Sequence, residues 1–599
     1  MNISDRGWML LALLGAVLGI GLLLLSGVGY SLGWNDTGGV RYHSNIVPLS
    51  LFAGLAFLCL GGAVLLARSP QAFPRCPAYL GIVLLALVAW LFVVPYVKNV
   101  SALIAVRADI VMGSESQFVD HIIRYRVGQP QYTPAEDANT SAYAPAAPLL
   151  TYFIASALGY ATSIPAFRLV QQLYLLLAVF FAAAAARDLL RFFRPESRLA
   201  KHWLFFWVPF LYLIANNPDT NVYTHVLYSD ALALTVNAFA FWLMVKHFTT
   251  EDDRWLIPMA VLPALGFLAK QKEIVWVGLY LVYLVLAGRV AWRRIVPFGA
   301  VAFSLAGLAI GLCYALWGPP FYFWAFEVLS GLHVSLREVL EQIAESGWYM
   351  LMGLLGGILV LRGEGFRRLF PLWITWLLQV LIAAYSSGIA FRPAHLGPAT
   401  LIGAVWFLVG LGRIWPEEEG SQEVADRAGL WWRTVAMPTA VFLFLLGAGI
   451  LRLGPAVPSG MDGYIAAIEK EFDGLPRDRV LLDTGSWVYL PENVVMRDRE
   501  SPIGTLWGTG TSDFAATTER IRNHYYQKIL VRKFEDGEFL YRDERIRQAL
   551  RESYQEIHVI PSPGVPSTWL YYPLLYDVSV LTPANSSAAL ERGGTSTVE

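Results

Sequence analysis

The stretch "IPAFRLVQQLYLLLAVFFAAAAARDLLRFFRPESRLAK", Ile164 to Lys201, decides the fold. About 27 residues from 164 to 190 are almost all apolar, long enough to cross a bilayer core as a helix. Positive charge then arrives in a cluster: Arg187, Arg191, Arg194, Arg198 and Lys201. An apolar run followed by a short cationic connection is the mark of a membrane span ending at the cytoplasmic face.

Working outward, the same alternation recurs along the chain. Runs of roughly 20 apolar residues give about 13 spans, near 8–32, 47–67, 78–97, 164–190, 203–216, 229–247, 255–270, 273–288, 295–317, 346–361, 369–388, 396–412 and 433–452. The even-numbered connections carry Arg68 and Arg75, then the cluster above, Lys246 and Arg254, Arg289, Arg293 and Arg294, Arg362, Arg367 and Arg368, and finally Arg413 and Arg427. This places the N-terminus in the cytoplasm. It places the connections near Glu115, Asp219, Lys270, Trp324 and Arg392, and everything after 453, on the extracytoplasmic side of a plasma (inner) membrane.

Composition agrees with a multi-pass membrane protein: 599 residues, 56% hydrophobic, 15% charged, mean hydropathy +0.48. A formal net charge of -1 offers no basic field for nucleic acid. Cys59, Cys76 and Cys313 fit neither a zinc site nor a disulfide framework and read as core residues. The first span is too long, and lacks a small-residue cleavage site, to be a removed signal peptide.

The chain divides into a transmembrane region at 1–452, with an extracytoplasmic loop at about 98–163, an extracytoplasmic α/β domain at 453–584, and a small polar tail at 585–599 expected to be disordered. In the α/β domain, runs such as "RVLLD" and "KILVR" alternate with helical stretches such as "DGYIAAIEKEF" and "DERIRQALRESY". "WGTGTSDF" has a Gly-x-Gly without the rest of a dinucleotide fingerprint and reads as a turn.

The loop holds the chemistry. In "GSESQFVDHIIRYRVGQPQY", Gly113 to Tyr132, Phe118, Val119, Ile122 and Ile123 recur at helical spacing against Asp120 and Arg124, which predicts an amphipathic helix suited to the membrane interface. Glu115 stands at its first turn, where the helix dipole favours negative charge. Two readings stay open: structural charges, with Asp120 and Arg124 an i,i+4 pair, or a reactive carboxylate.

The order Glu115, Asp120, Gly128-Gln-Pro-Gln-Tyr132, Tyr143-Ala-Pro145, then "AAPLLTYFIASALG" resembles the first catalytic loop of the GT-C superfamily. These are glycosyltransferases that use lipid-phosphate sugars, such as protein O-mannosyltransferases and aminoarabinose transferases. "YSDALALTVNAFAFW", "LGFLAKQKE" and "FRPAHLGPATL" resemble later segments. The sequence departs in two extra N-terminal spans and in Ser114-Glu115 where an Asp-Glu pair is frequent.

The resemblance implies a polytopic α-helical GT-C enzyme. It would transfer a monosaccharide from a polyprenyl-phosphate donor to a hydroxyl of an extracytoplasmic acceptor, with inversion, using a carboxylate base. Glu115 is the first choice of base, with Asp109 and Asp120 as alternatives. Lys270, Lys272, Arg392 and His395 would hold the donor phosphate. Tyr132, Tyr143, Asp219, His225, Asp230 and Glu273 are candidates for sugar or acceptor binding, or for pairing with those cations. No cofactor is required, and one or two carboxylates do not define a divalent-cation site.

Rival readings are a ligase or polymerase of lipid-linked oligosaccharides, a secondary transporter or flippase, and a sensor. The transporter would show inverted repeats and Gly/Pro-broken helices at the midplane, and neither is visible. A sensor would leave the loop pattern unexplained.

Overall fold

The computed structural model describes residues 94–111, 113–137, 142–216, 224–288, 290–330, 334, 336, 339–340, 347–361, 365–387, 395–414, 457–482, 485–491, 515–532, 544–563 and 577–584. The expected spans at 8–32, 47–67 and 433–452, most of 78–97, the turn at 507–514, the tail at 585–599, and Asp219 and Arg392 lie outside them.

The described chain is mostly helical. After α1 (Val94–Ala105), the loop contains α2 (Gly113–Arg126) and α3 (Ala146–Ala157), and then α4 (Ile164–Phe193) begins. Ser163 caps α4 by accepting from the Ala166 amide at 3.3 Å, with Pro165 in the first turn, so its start is written locally. Next come α5 (Trp207–Asn216), α6 (Ser229–Thr250), α7 (Leu256–Ala269), α8 (Trp276–Ala287) and α9 (Trp292–Tyr322), followed by α10 (Gly347–Leu361), α11 (Gly365–Ser387) and α12 (Gly397–Ile414).

Among the described residues four helices are long and apolar enough to cross a membrane: Ile164–Phe193, Ser229–Thr250, Trp292–Ser330 and Arg368–Ser386. Three shorter apolar helices, Ala146–Ala157, Met350–Val360 and Gly397–Arg413, accompany them. The expected span at 203–216 is broken, a 3-10 turn at Trp203–Phe206 preceding α5. Gly318, at φ 66° ahead of Pro319 and Pro320, kinks the long helix.

Small residues let the helices approach. Ala182 to Ala186 are buried where α4 packs along α6. Between α10 and α12, a Cβ on Gly410 would sit 2.8 Å from the Gly356 carbonyl oxygen, so only glycine fits. At about 1.5 Å per residue, the 30 residues of α4 span about 45 Å. Its start meets the first loop, while its end carries the cationic cluster: Asp188 binds Lys246 at 2.9 Å and Arg187 at 2.8 Å, and Arg194 donates to the Arg413 carbonyl at 2.9 Å.

Past 457 the chain adds α13 (Met461–Lys470), α14 (Ala515–Arg522) and α15 (Glu544–Ser553) around four strands, β1 (Val480–Leu482), β2 (Lys528–Arg532), β3 (Tyr554–Ile560) and β4 (Val578–Pro583). The sheet order is β1-β2-β4-β3, with β1 and β2 parallel and the other neighbours antiparallel. Leu481, Ile529, Val531, Leu550 and Leu581 supply its apolar core.

This sheet domain docks on the first loop. The amides of Ser486 and Trp487 point at the Asp109 carboxylate, the Gly485 amide donates to Ser116 Oγ at 3.0 Å, and Arg107 binds Glu469, with Nη2 to Oε2 at 2.7 Å. The interfacial helix expected from the sequence is instead buried from Glu115 to Arg124, polar face included, because the sheet domain and the bundle cover it.

Candidate active site

Helix α2 carries two sets of buried charges with opposite states of satisfaction. Glu115 and Arg168 are both wholly buried. Arg168 Nε donates to Glu115 Oε1 at 2.9 Å and Nη2 to Oε2 at 2.6 Å. The same guanidinium reaches the carbonyls of Leu103, Val106 and Ala108 at 2.7 to 2.9 Å, so all five of its N–H groups are used. The Leu227 amide adds a bond to Glu115 Oε1 at 3.0 Å. A buried ion pair is tolerable only when its remaining hydrogen-bonding capacity is met, and here it ties α1, α2, α4 and the start of α6 together.

Asp109 is similarly committed. Both its oxygens accept from the Ser486 amide at 2.8 Å, and Trp487 N lies at 3.4 Å from Oδ1. Its carboxylate therefore anchors the sheet domain.

The other set runs Gln117, Asp120, His121 and Arg124, at i, i+3, i+4 and i+7, one stripe of the helix. All four are at most 3% exposed. Asp120 Oδ2 accepts from Arg124 Nε at 2.9 Å, so the expected i,i+4 pair is present. Yet Asp120 Oδ1, Arg124 Nη2, both ring nitrogens of His121 and both amide atoms of Gln117 have no hydrogen-bond partner among the described residues. Burial pulls the His121 imidazole down to about 4, against the opposing pull of Asp120, so it is neutral at pH 7. Buried polar groups are nearly always satisfied, and among the described residues this stripe stands apart from the Glu115 set in that respect.

Gly128 ends α2 with a positive φ of 70°, and the chain returns to set Tyr132 edge-on to His121, ring centroids 5.5 Å apart. Tyr132 donates its hydroxyl to the Tyr143 carbonyl at 2.8 Å, and the Tyr143 and Tyr228 hydroxyls bond each other. Phe118 packs against both Tyr143 and Tyr228.

Lys270 lies 5.8 Å from the Tyr228 ring centroid and pairs with Asp230. Two residues on, Lys272 Nζ sits 2.9 Å from His395 Nδ1 and 4.0 Å from Glu273. The Lys272 side chain is 22% exposed, in the turn between α7 and α8. Burial, then the like charge of Lys270, pushes it down to about 8, while Glu273 and Asp230 oppose. Glu273 is held through Oε2 by Asn237 Nδ2 at 2.6 Å, and Asn237 Oδ1 in turn accepts from Trp276 and Gln379. Glu273 Oε1 and Ser229 Oγ make no hydrogen bond among the described residues.

Contacts thus join Tyr132, Tyr143, Lys270 and Asp230 through Tyr228, Lys272 meets His395, and Asp120 pairs with Arg124 on the helix whose His121 packs against Tyr132. His225 is set apart, its Nδ1 3.0 Å from Gln172 Oε1. Reading the sequence missed Arg168, Gln117, Asn237 and Tyr228. Arg168 was findable, since an arginine inside an apolar run is costly unless paired. The partners of Asn237 come from three helices and leave no local pattern.

No protein-family model matches the chain, and no curated protein matches it. Among solved structures, ArnT from Cupriavidus metallidurans bound to undecaprenyl phosphate is 14% identical, covering 82% of this chain and 97% of that one at a TM-score of 0.47. The apo oligosaccharyltransferase of Archaeoglobus fulgidus is 11% identical, with 84% and 76% covered and a TM-score of 0.45. The oligosaccharyltransferase AglB from Archaeoglobus fulgidus, in complex with an inhibitory peptide and a dolichol-phosphate, is 12% identical, with 85% and 77% covered and a TM-score of 0.43.

Proposed function

We propose that the protein is an integral-membrane glycosyltransferase that moves a monosaccharide from a polyprenyl-phosphate donor to a hydroxyl of an extracytoplasmic acceptor. The supporting observation is a polar stripe on α2, unsatisfied among the described residues, linked through Tyr132, Tyr143 and Tyr228 to the buried Lys270, with the half-buried Lys272 two residues on. A sugar phosphate needs both, hydrogen-bonding groups for the sugar and fixed positive charge for the phosphate.

In this reading Asp120 is the base. Of the three candidate carboxylates it alone keeps an oxygen without a hydrogen-bond partner among the described residues, whereas those of Glu115 and Asp109 are bound to Arg168 and to backbone amides. The acceptor oxygen attacks the anomeric carbon as Asp120 takes its proton, and the lipid phosphate leaves from the opposite face, inverting the centre. Lys270 and Lys272, with His395 and Arg392 from the following segment, hold the charge that grows on the departing phosphate. Glu115 becomes the clamp that fixes α2. Because Asp120 is 3% exposed, substrate reaches it once Tyr132 and its neighbours shift.

The test is a transfer assay with purified protein and native lipid extract, alongside mass spectrometry of envelope glycans from a deletion strain. Loss of one sugar from one glycan supports the reading and names both substrates. An unchanged glycan profile with no transfer in vitro removes it, and loss of a multi-sugar unit replaces it with an oligosaccharide ligase.

A further inference from the structure

Outside the site above, the sheet domain carries an open cleft of about 380 Å³. Small-ligand sites usually fall in the range of roughly 300–1,000 Å³, so the cleft is large enough for one sugar. Its walls come from the end of α14, the turn after it, and the residue before β1. Arg479, Glu519, Arg520, Asn523, His524 and Tyr525 line it. The turn is tight: His524 adopts φ 53°, which a non-glycine residue seldom takes.

The Arg479 guanidinium stacks 4.2 Å from the Tyr525 ring centroid and donates to the Tyr525 carbonyl at 3.2 Å. Its ion pair with Asp478 spans 3.9 Å. That is longer than a charge-assisted hydrogen bond of about 2.7–2.9 Å, so the Arg479 charge is positioned without being tightly matched. The Tyr525 hydroxyl has no hydrogen-bond partner among the described residues. Arg520 reaches Asp137 of the first loop at 3.9 Å, which sets the cleft beside that loop.

We infer that this cleft binds an anionic saccharide, a sugar bearing a carboxylate or a phosphate. Two guanidiniums supply planar, paired donors for the anion. Glu519 and Asn523 supply the mixed acceptors and donors that sugar hydroxyls need. A site for a bare anion would gain nothing from Glu519. The inference rests on the proposed function in one respect and deepens it, by taking this saccharide as the acceptor, presented to the transfer site by the sheet domain.

Binding is measured without turnover, by saturation-transfer NMR on the full-length protein in lipid nanodiscs. The probes are glucuronate, glucose 6-phosphate and glucose. Both anionic sugars bind at least tenfold tighter than glucose, and the tighter of the two identifies the anion. Arg479→Gln weakens them tenfold or more. Asn523 is exposed, so Asn523→Asp adds a repelling charge without touching a core and also weakens both. Equal binding of glucose, no binding of either anion, or unaltered affinity in Asn523→Asp overturns the inference. Transfer activity without anionic-sugar binding sinks the cleft alone; binding without transfer sinks the proposed function alone.

Discussion

Glu115 and Asp120 lie five residues apart on one helix, both buried and both acidic, yet the protein treats them in opposite ways. Around Glu115 the hydrogen bonding is closed: every N–H of Arg168 has an acceptor. Around Asp120 it is open on four consecutive residues of the stripe. Burial alone does not separate the two carboxylates; spare hydrogen-bonding capacity among the described residues does. The closed pair holds the helix in place, and the open stripe waits for something polar.

The comparison breaks most visibly at the closed pair. Arg168→Met leaves Glu115 buried without its cation, and the expected loss is about 3–5 kcal/mol of stability, read as the fall in the unfolding midpoint of the purified protein. Replacing both partners by Met should recover much of it. If the single variant is as stable as the parent, the clamp is not one.

Activity separates the carboxylates next. Asp120→Asn should keep the fold and lower turnover by roughly 100-fold or more. Glu115→Gln should act chiefly through folded yield. A fully active Asp120→Asn enzyme would return the base to Glu115 or Asp109.

A smaller effect follows from the cations. Lys272, held near 8, is charged below that pH and neutral above it, so donor affinity should fall as pH rises from 7 to 9, by up to about tenfold per unit above 8. Lys272→Arg should flatten the profile, because guanidinium stays charged. A profile unchanged by that substitution would take Lys272 out of the phosphate site.

The smallest change sharpens the contrast. Gln117→Leu removes two unmet polar atoms and should leave stability unaltered or raise it by about 1 kcal/mol, while kcat/KM drops. A loss of stability would mean that Gln117 is satisfied by structural water and belongs with the closed set.

How much of this was legible in the sequence follows from how local each signal is. Apolar length and Ser163-Ile-Pro wrote α4 within a few residues, and "RVLLD" and "KILVR" became β1 and β2. The pairing of Asp120 with Arg124, and the companionship of Lys270, Lys272 and Asp230, also followed from spacing and side. Which carboxylate stays open did not, because Arg168 is 53 residues from Glu115 and Ser486 is 377 from Asp109. The burial of α2 was unreadable for the same reason: its cover comes from the far end of the chain.

That last separation has a consequence for biogenesis. At synthesis rates of about 5–20 residues per second, roughly 20–75 s pass between the emergence of Asp109 and that of the Ser486 amide that meets it. Through that interval the Asp109 carboxylate lacks the Ser486 amide that meets it in the folded protein. Gly485, Ser486 and Trp487 then arrive together and bring their amides onto Ser116 and Asp109. A chain that stalls before Ser486 therefore lacks the backbone amides that hold the Asp109 carboxylate.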